Sequence, residues 1–247
     1  ENTLLSNEEL YKKFGEDWNS SFWRFEDGLF NEYNPKSKWD WYQVGGRWAG
    51  MLKIKEGIWP SEPVNFSWGC SEEQKEEALK QNIADAAKVS DIDFESMLNE
   101  GRESARASWN KVADLIGVDE ATGKINMPEF TWKQCREKAE DNIEKARDMY
   151  GNQELVKRFE SFDNSFYSNI FDYNYTLEEY ENLGAQEAIS TFAVLLDGVW
   201  YERGEMGWFG MSSDTGEEAE NWKLSFYDKF IKDLPDNAYI TIVDCHI

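Results

Sequence analysis

The sequence predicts an α+β fold, in which the N- and C-terminal parts form a mostly antiparallel sheet and a large helical insertion lies between them. Two observations predict this arrangement. Only two of the twelve tryptophans fall within residues 71–189. The apolar residues of that stretch recur with a helical period of about 3.6, whereas the flanking parts alternate with the period of two typical of strands. We therefore expect a single domain over residues 1–247, with sheet parts at 20–70 and 190–247 and the insertion at 71–189.

The N-terminal part begins with a predicted short helix, because Ser6 and Glu9 are spaced as a capping box. A strand is predicted over Ala49–Lys55. Just before this strand, Gly45 and Gly46 follow an aromatic segment. Adjacent glycines near a strand indicate a bulge, or a place where another backbone or a ligand comes close.

The insertion is predicted to be helical and acidic. Capping residues and apolar residues at helical spacing predict five helices. They are a helix after Ser71 with Leu79, Ile83 and Ala86 on one side, a long helix over Phe94–Ile116 ended by Gly117, one over Thr131–Tyr150 ended by Gly151, one around Leu155–Phe162, and one that begins at Thr176. The insertion carries 14 basic and 27 acidic residues, a net charge of −13.

The C-terminal part begins with a predicted hairpin around Asp197-Gly198, a dipeptide typical of a two-residue type I′ turn. That turn pairs Leu196 with Val199, and this pair sets the register of all other residue pairs along the two strands. Alternation then places Leu195 and Trp200 together on the opposite face. Because both faces of the first strand are apolar, we expect this strand to lie inside a sheet.

The chain ends with a predicted helix and strand. Residues 217–233 have the apolar stripe of an amphipathic helix, and residues 238–244 form an apolar run of strand length. A hairpin, a helix and a strand in this order are typical of a helix packed on a mostly antiparallel sheet.

The formal net charge of −23 restricts the classes of partner. Nucleic acid and anionic membrane surfaces both bind basic surfaces, so we expect no direct nucleic-acid binding and no membrane binding. No window approaches the length of a transmembrane helix. Three widely spaced cysteines fit neither a disulfide framework nor a zinc motif, so a reducing cytoplasm is expected.

Four segments carry a resemblance to a known family. They are NPKSKWDWYQVGGRW at Asn34–Trp48, DIDFESM at Asp91–Met97, TFAVLLDGVWYERGEMGWFGM at Thr191–Met211 and ITIVDCHI at Ile240–Ile247. With these segments, about a fifth of its length, the chain resembles an uncharacterised family found in bacteriophages, prophages and gut bacteria. The resemblance implies a phage-like context, in the cytoplasm of a bacterial host, and supplies no catalytic mechanism.

Two glycine-flanked segments predict a common site. Arg47 and Trp48 follow one glycine pair, and Glu205 and Trp208 lie in a second glycine-punctuated stretch. A guanidinium beside flexible backbone can hold a phosphate or carboxylate with two hydrogen bonds. We expect Arg47 and Glu205 to line one pocket, with the tryptophans as flat contact area. The alternative is that Arg47 forms an ion pair with Asp40, Glu202 or Glu205, and Asp40 also counts as a candidate ligand-binding residue.

The C-terminal strand supplies the other candidate chemistry. Asp244 and His246 are two residues apart and share a face, so they can act as acid and base or bind a metal, with His246 at the rim of the predicted pocket. Cys245 points to the opposite face and cannot easily use His246 as its base. The alternative is that His246 is a satisfied polar group. Residues 118–130 resemble a calcium loop but lack an acidic first ligand, so no metal is predicted, and no cofactor is identified.

Three functions remain open at this point. The first is a binding protein, an accessory or counter-defence factor that captures a host protein or a small polar ligand through Arg47, Trp48, Glu205 and Trp208. The second is a hydrolytic enzyme that uses Glu205, Asp244 and His246 as catalytic groups, with Arg47 as the anion holder. The third is a nucleic-acid mimic whose acidic surface occupies a defence nuclease. The mimic ranks third, because the acidic residues are interleaved with lysines and not gathered into rows, and the binding protein is preferred.

Overall fold

The structure is a computed structural model that describes most of the chain after residue 40. The described residues are 41–58, 80–162, 169–207 and 211–246, the single positions 39, 71 and 73, and three short strands within residues 1–31. In this part of the chain the fold is α+β, as predicted, with six helices and several small antiparallel sheets. The predicted Ser6 capping box lies outside the described residues.

The helices follow the capping signals of the sequence closely. They are α1 (Phe94–Ile116), α2 (Trp132–Lys138), α3 (Ile143–Gly151), α4 (Glu154–Phe162), α5 (Leu177–Glu187) and α6 (Gly216–Phe230). Helix α1 ends before Gly117, as predicted, and capping boxes at Thr131, Thr176 and Thr215 start α2, α5 and α6. Each box satisfies backbone N–H groups that the first turn leaves without a helical partner. None of the described helices is long and apolar enough to span a membrane.

One predicted helix is divided in two. The prediction of a single helix over residues 131–150 is wrong, because Glu140 and Asp141 take the left-handed conformation with φ of 52° and 59°. Asn142 then starts α3 by accepting a hydrogen bond from the N–H of Lys145. An acidic-polar Glu-Asp-Asn sequence favours such a turn, since Asn and Asp tolerate left-handed backbone and cap helices well.

Eleven short strands lie in the described part of the chain, and every pairing is antiparallel. They are β1 (Leu4–Leu5), β2 (Phe22–Phe25), β3 (Gly28–Asn31), β4 (Trp41–Val44), β5 (Leu52–Lys53), β6 (Ile83–Ala84), β7 (Ala86–Lys88), β8 (Ala193–Leu196), β9 (Val199–Glu202), β10 (Tyr239–Thr241) and β11 (Val243–His246). Their order is β1-β3-β2, β10-β7, β11-β4, β5-β6 and β8-β9.

The predicted helix after Ser71 agrees with Glu73 and Lys80, which are helical, but its predicted stripe extends too far, because β6 and β7 begin directly afterwards. Ile83 and Ala86, expected on a helical stripe, lie in strands that pair with β5 and β10, and the third member of that stripe, Leu79, lies outside the described residues. Ala84 and Ala87 are buried, so the apolar residues of this segment form buried strands and not one face of a helix. A short apolar run has no periodicity that separates a buried strand from a buried helix. Residues 71–189 are therefore not wholly helical.

The C-terminal strand joins the two ends of the chain. Its first half, β10, pairs with β7, and its second half, β11, pairs with β4 so that Val243 lies opposite Val44. Ile242, between the halves, donates its N–H to the carbonyl of Asp85 at 2.8 Å and accepts the N–H of Gly45 at 2.9 Å. This junction places the turn after β4 against the segment between β6 and β7.

The β8–β9 hairpin has the predicted register. Leu196 pairs with Val199, and the turn residues Asp197 and Gly198 have the positive φ of a type I′ turn, 51° and 77°. The face on which Val194 lies packs against α6. The opposite face does not, because Leu195 is 67% exposed. The prediction that both faces of β8 are buried inside a sheet is therefore wrong: α6 covers one face only.

Candidate functional site

The turn after β4 is built from two adjacent glycines in the left-handed region. Gly45 has φ of 70° and Gly46 has φ of 58°, a conformation that L side chains rarely adopt. The turn is closed by the N–H of Trp48, which donates to the carbonyl of Gly45 at 3.0 Å. The predicted close approach is confirmed, since a Cβ on Gly46 would lie 2.6 Å from the Cβ of Asp244.

Asp244, on β11, holds this turn from the opposite end of the chain. Its carboxylate accepts the backbone N–H of Arg47 at 3.0 Å and the Nη2 of the same residue at 2.5 Å. The Nε of Arg47 lies 3.1 Å from Oδ1 and 2.9 Å from Oδ2. The carboxylate is 2% exposed, whereas the Arg47 side chain is 59% exposed. A buried carboxylate is thus satisfied by one surface arginine and that arginine's own amide.

Asp85, between β6 and β7, holds the other end of the same loop. It is fully buried and its Oδ1 accepts the N–H of Gly50 at 2.7 Å. A Cβ on Gly45 would lie 2.3 Å from its Oδ2. The loop over residues 45–50 is therefore fixed by two buried carboxylates that come from distant parts of the chain. Sequence reasoning missed Asp85, and the available signal was an acidic residue inside the apolar run Ile83–Ala87.

The pairing sets the charge state of the site. Hydrogen bonding from the Arg47 side chain lowers the pKa of Asp244, with a further contribution in the same direction from Coulombic attraction to Arg47, while burial acts in the opposite direction. The same hydrogen bond raises the pKa of Arg47. Asp244 is therefore held as the carboxylate, which can accept hydrogen bonds but cannot supply a proton to a substrate near neutral pH.

Exposed aromatic residues lie close to this pair along the chain. Trp41 is 47% exposed and Trp48 is 54% exposed, although both are large apolar residues. The imidazole of His246 stacks on Trp41 with ring centroids 5.0 Å apart and planes 10° apart. The register of β4 and β11 explains the stack, because it places His246 directly opposite Trp41. We call Trp41, Trp48 and His246 the aromatic surface.

The predicted sharing of a face by Asp244 and His246 agrees with alternation along β11. Asp244 is buried and His246 is exposed at the end of the strand. Between them, Cys245 is half-buried on the other face, and burial raises the pKa of its thiol. A thiol with a raised pKa is a poor nucleophile, because the thiolate is the reactive form.

The alternative of an ion pair between Arg47 and Glu202 or Glu205 is wrong, because Arg47 pairs with Asp244. Glu205 is exposed, and its backbone N–H donates to Ser213 Oγ at 2.9 Å within a second small hairpin. The carboxylate partner of Arg47 is Asp244, and not Glu202 or Glu205, among the described residues. Two further site candidates, Asp40 and Trp208, lie outside the described residues.

The second glycine-flanked segment has its own arginine–aspartate pair. Arg203 Nε lies 2.9 Å from Asp214 Oδ2, but the two groups are not aligned for a hydrogen bond. The guanidinium also lies over the Phe192 ring, 5.2 Å from its centroid. This pair closes the base of the small hairpin, so the segment around Glu205 is held by its immediate neighbours.

Two open depressions in the described surface are lined by residues outside the aromatic surface. One, of about 500 Å³, lies beside α5 around Glu178 and Glu181, and the other, of about 350 Å³, lies beside α4 around Phe130 and Leu155. Within the described residues, no group of three or more His, Cys, Asp or Glu side chains is placed to hold a metal ion. In the loop that resembles a calcium site, Asp119 instead accepts the N–H of Ala121 at 2.7 Å.

The chain matches no protein-family model, no curated protein and no solved structure.

Proposed function

We propose that the chain is a binding protein that captures a basic protein of a bacterial host through the aromatic surface. The observation that carries the proposal is the exposure of Trp41 and Trp48, 47% and 54%, on a backbone that two buried carboxylates hold fixed. Tryptophan and arginine are the residues most enriched among those that dominate the energy of protein–protein interfaces. Fixing them before binding reduces the entropy lost on association.

The shape of the site favours a protein over a small polar ligand. Small-molecule sites are concave and cover most of the ligand surface. The rings of Trp41 and Trp48 instead stand at an open surface, and the depressions in the described surface lie elsewhere. An open surface with flat aromatic area fits a partner that brings its own complementary shape.

The charge of the chain favours a basic partner. A net charge of −23 attracts cationic proteins and repels anionic ones over distances of about a Debye length, roughly 8–10 Å. The Arg47–Asp244 pair is neutral as a unit, so the aromatic surface adds apolar contact without opposing that attraction. A phage-like origin, which the resemblance implies, makes the host proteins of an infected cell the natural partners.

The contacts of Asp244 count against the hydrolytic alternative. Its carboxylate is buried and accepts three different nitrogen atoms of the site, namely the backbone N, Nε and Nη2 of Arg47. Neither Asp244 nor Arg47 is then available as an acid or as a dedicated anion holder. Glu205, the third catalytic candidate, is held in a different hairpin.

The test compares wild-type protein with Trp48→Ala on parallel affinity columns loaded with a gut bacterial lysate. A basic protein retained by wild type is purified, and its Kd is measured for both proteins. Removing a dominant interface tryptophan costs 2 kcal/mol or more, so Trp48→Ala should weaken binding at least about 30-fold. The matched control is Ile58→Ala, a change at another apolar side chain that is 39% exposed, which should leave Kd within about two-fold. Retention of no basic protein, or equal Kd values for wild type and Trp48→Ala, would overturn the proposal.

A further inference from the structure

The outer edge of β8 is an open strand edge, formed by residues other than those of the aromatic surface. The β8–β9 ladder has two strands in the described part of the chain, so β8 has a neighbour on one side only. The N–H of Arg203 donates to the carbonyl of Phe192 at 3.3 Å, which makes these two residues a hydrogen-bonded pair. Hydrogen-bonded and non-hydrogen-bonded pairs alternate in an antiparallel ladder. Ala193 and Leu195 therefore direct their backbone groups away from β9.

Few of these outward groups are occupied by the rest of the fold. The carbonyl of Ala193 accepts a hydrogen bond from Thr191 Oγ1 at 2.8 Å. The N–H of Ala193 and both backbone groups of Leu195 remain directed outward, and the Leu195 side chain is 67% exposed. An apolar edge strand with free donors and acceptors is a template for pairing with another chain.

We propose that β8 binds an extended segment of another protein by strand addition, and that this segment alternates basic with apolar residues. Main-chain hydrogen bonds to Leu195 and Ala193 supply the affinity in this mode of recognition, and alternate side chains supply the specificity. Apolar residues of the segment continue the surface of Leu195, and its basic residues add long-range attraction to the acidic chain.

The charges around the edge select this occupant. Residues 187–205 contain four carboxylates, at Glu187, Asp197, Glu202 and Glu205, and one basic residue, Arg203. Arg203 is already paired with Asp214, and Glu187 is paired with Lys223 at 2.8 Å, so Asp197, Glu202 and Glu205 supply the excess of negative charge. A basic segment therefore finds a local excess of negative charge beside the strand.

The same charges disfavour a second copy of the chain as the occupant. Pairing β8 with β8 of another molecule would bring together two chains of −23 each. A basic strand would instead be attracted to the acidic chain.

The test uses a seven-residue peptide that alternates lysine and valine, titrated into ¹⁵N-labelled protein. Amide hydrogen exchange at Leu195 and Ala193 should slow at least ten-fold when the peptide is saturating, because their N–H groups become hydrogen-bonded. A peptide of the same length and charge, with proline in place of each valine, lacks those donors and cannot form a ladder. It should leave exchange at both residues unchanged.

Variant proteins separate strand addition from general attraction to a basic peptide. Leu195→Lys puts a cation on the edge and should raise the Kd of the lysine–valine peptide at least ten-fold. Ile58→Lys makes the same charge change at an apolar side chain outside the β8–β9 hairpin that is 39% exposed, and should raise Kd less than two-fold. Equal losses in the two variants, or equal binding of the proline peptide, would overturn the proposal. A wild-type dimer that Leu195→Lys converts to a monomer, seen by sedimentation, would also overturn it by making a second copy the occupant.

Discussion

The two glycine-flanked segments look alike in sequence but are held in different ways. In the first, the turn at Gly45 and Gly46 is fixed by Asp244, which is 197 residues from Arg47 along the chain. In the second, Arg203 is paired with Asp214, 11 residues away along the chain. The first therefore depends on the pairing of the two chain ends, whereas the second depends on a local hairpin.

A local sequence pattern can identify a constrained segment, but it does not identify the residue with which that segment pairs. Both segments place an arginine beside glycine, and both arginines have an aspartate partner. The partner of Arg47 is set by the register of β4 against β11, which a local pattern does not contain. The first segment carries Trp48 at an exposed position on a backbone that distant elements fix.

The largest difference between the segments is expected on adding a methyl group at their glycines. Gly46→Ala puts a Cβ 2.6 Å from Asp244 and forces an L residue to φ of 58°, so it should cost about 2–5 kcal/mol of stability. Gly204→Ala meets Asp214 at 2.8 Å but has no positive φ, so it should cost about 1–3 kcal/mol. Urea unfolding measures both. A smaller loss for Gly46→Ala than for Gly204→Ala would contradict the assigned packing.

Removal of the Arg47 side chain should have the next largest effect. Arg47→Ala leaves the buried Asp244 carboxylate with only one backbone N–H of that residue, and an unsatisfied buried group costs about 1–3 kcal/mol. The matched control is Arg158→Ala, because Arg158 is paired with Glu154 at 3.1 Å on an exposed helix face. An exposed pair of this kind contributes about 0.3–0.5 kcal/mol. Equal melting temperatures for the two variants would place Arg47 among the ordinary surface charges.

Trp200→Ala should cost less than a core aromatic change, about 1–2 kcal/mol. Trp200 is half-buried, its ring lies 5.5 Å from Trp39, and its indole N–H donates to Glu202 at 2.8 Å. Its cross-strand neighbour Leu195 is largely exposed, so the ring does not lie in a closed core. Phe230→Ala, on the covered side, should cost about 3–5 kcal/mol. The free energies of unfolding of the two variants should keep this order, and the reverse order would show that α6 covers the wrong face.

The stability that the Arg47–Asp244 pair contributes should decrease at acidic pH. The folded-state pKa of Asp244 is lowered by hydrogen bonding from Arg47, so the pair stabilises the fold fully above the unfolded pKa of about 3.9. That stability is lost as pH falls through the folded pKa. The stability difference between wild type and Asp244→Asn should be constant from pH 5 to 7 and shrink below about pH 4. A stability difference that grows as the pH falls would contradict this prediction.

The regular elements were predictable from the sequence because their signals are local. The helix α1, the capping boxes at Thr176 and Thr215, and the hairpin turn at Asp197 each depend on residues within one or two turns of the chain. The strands β6 and β7 were not predictable, since a run of two or three apolar residues has no period.

The residues of the candidate site could be predicted from the sequence, but the contacts between them could not. Arg47, Asp244 and His246 were all identified from local chemistry, and β4–β11 pairing places them together. The pairing of Arg47 with Asp244, and the part played by Asp85, required knowledge of long-range register. Local reasoning joined Arg47 to Glu205 because both lie beside glycine and aromatic residues, a likeness that carries no distance information.

A double-mutant cycle on Arg47 and Asp244 tests most directly the claim that the two ends of the chain fix the aromatic surface through this pair. Urea unfolding is measured for wild type, Arg47→Ala, Asp244→Asn and the double variant. Residues in direct contact in a hydrogen-bonded pair show coupling energies of about 0.5–3 kcal/mol, and we expect a value of at least about 1 kcal/mol here. Additive losses, with coupling below about 0.5 kcal/mol, would contradict the account.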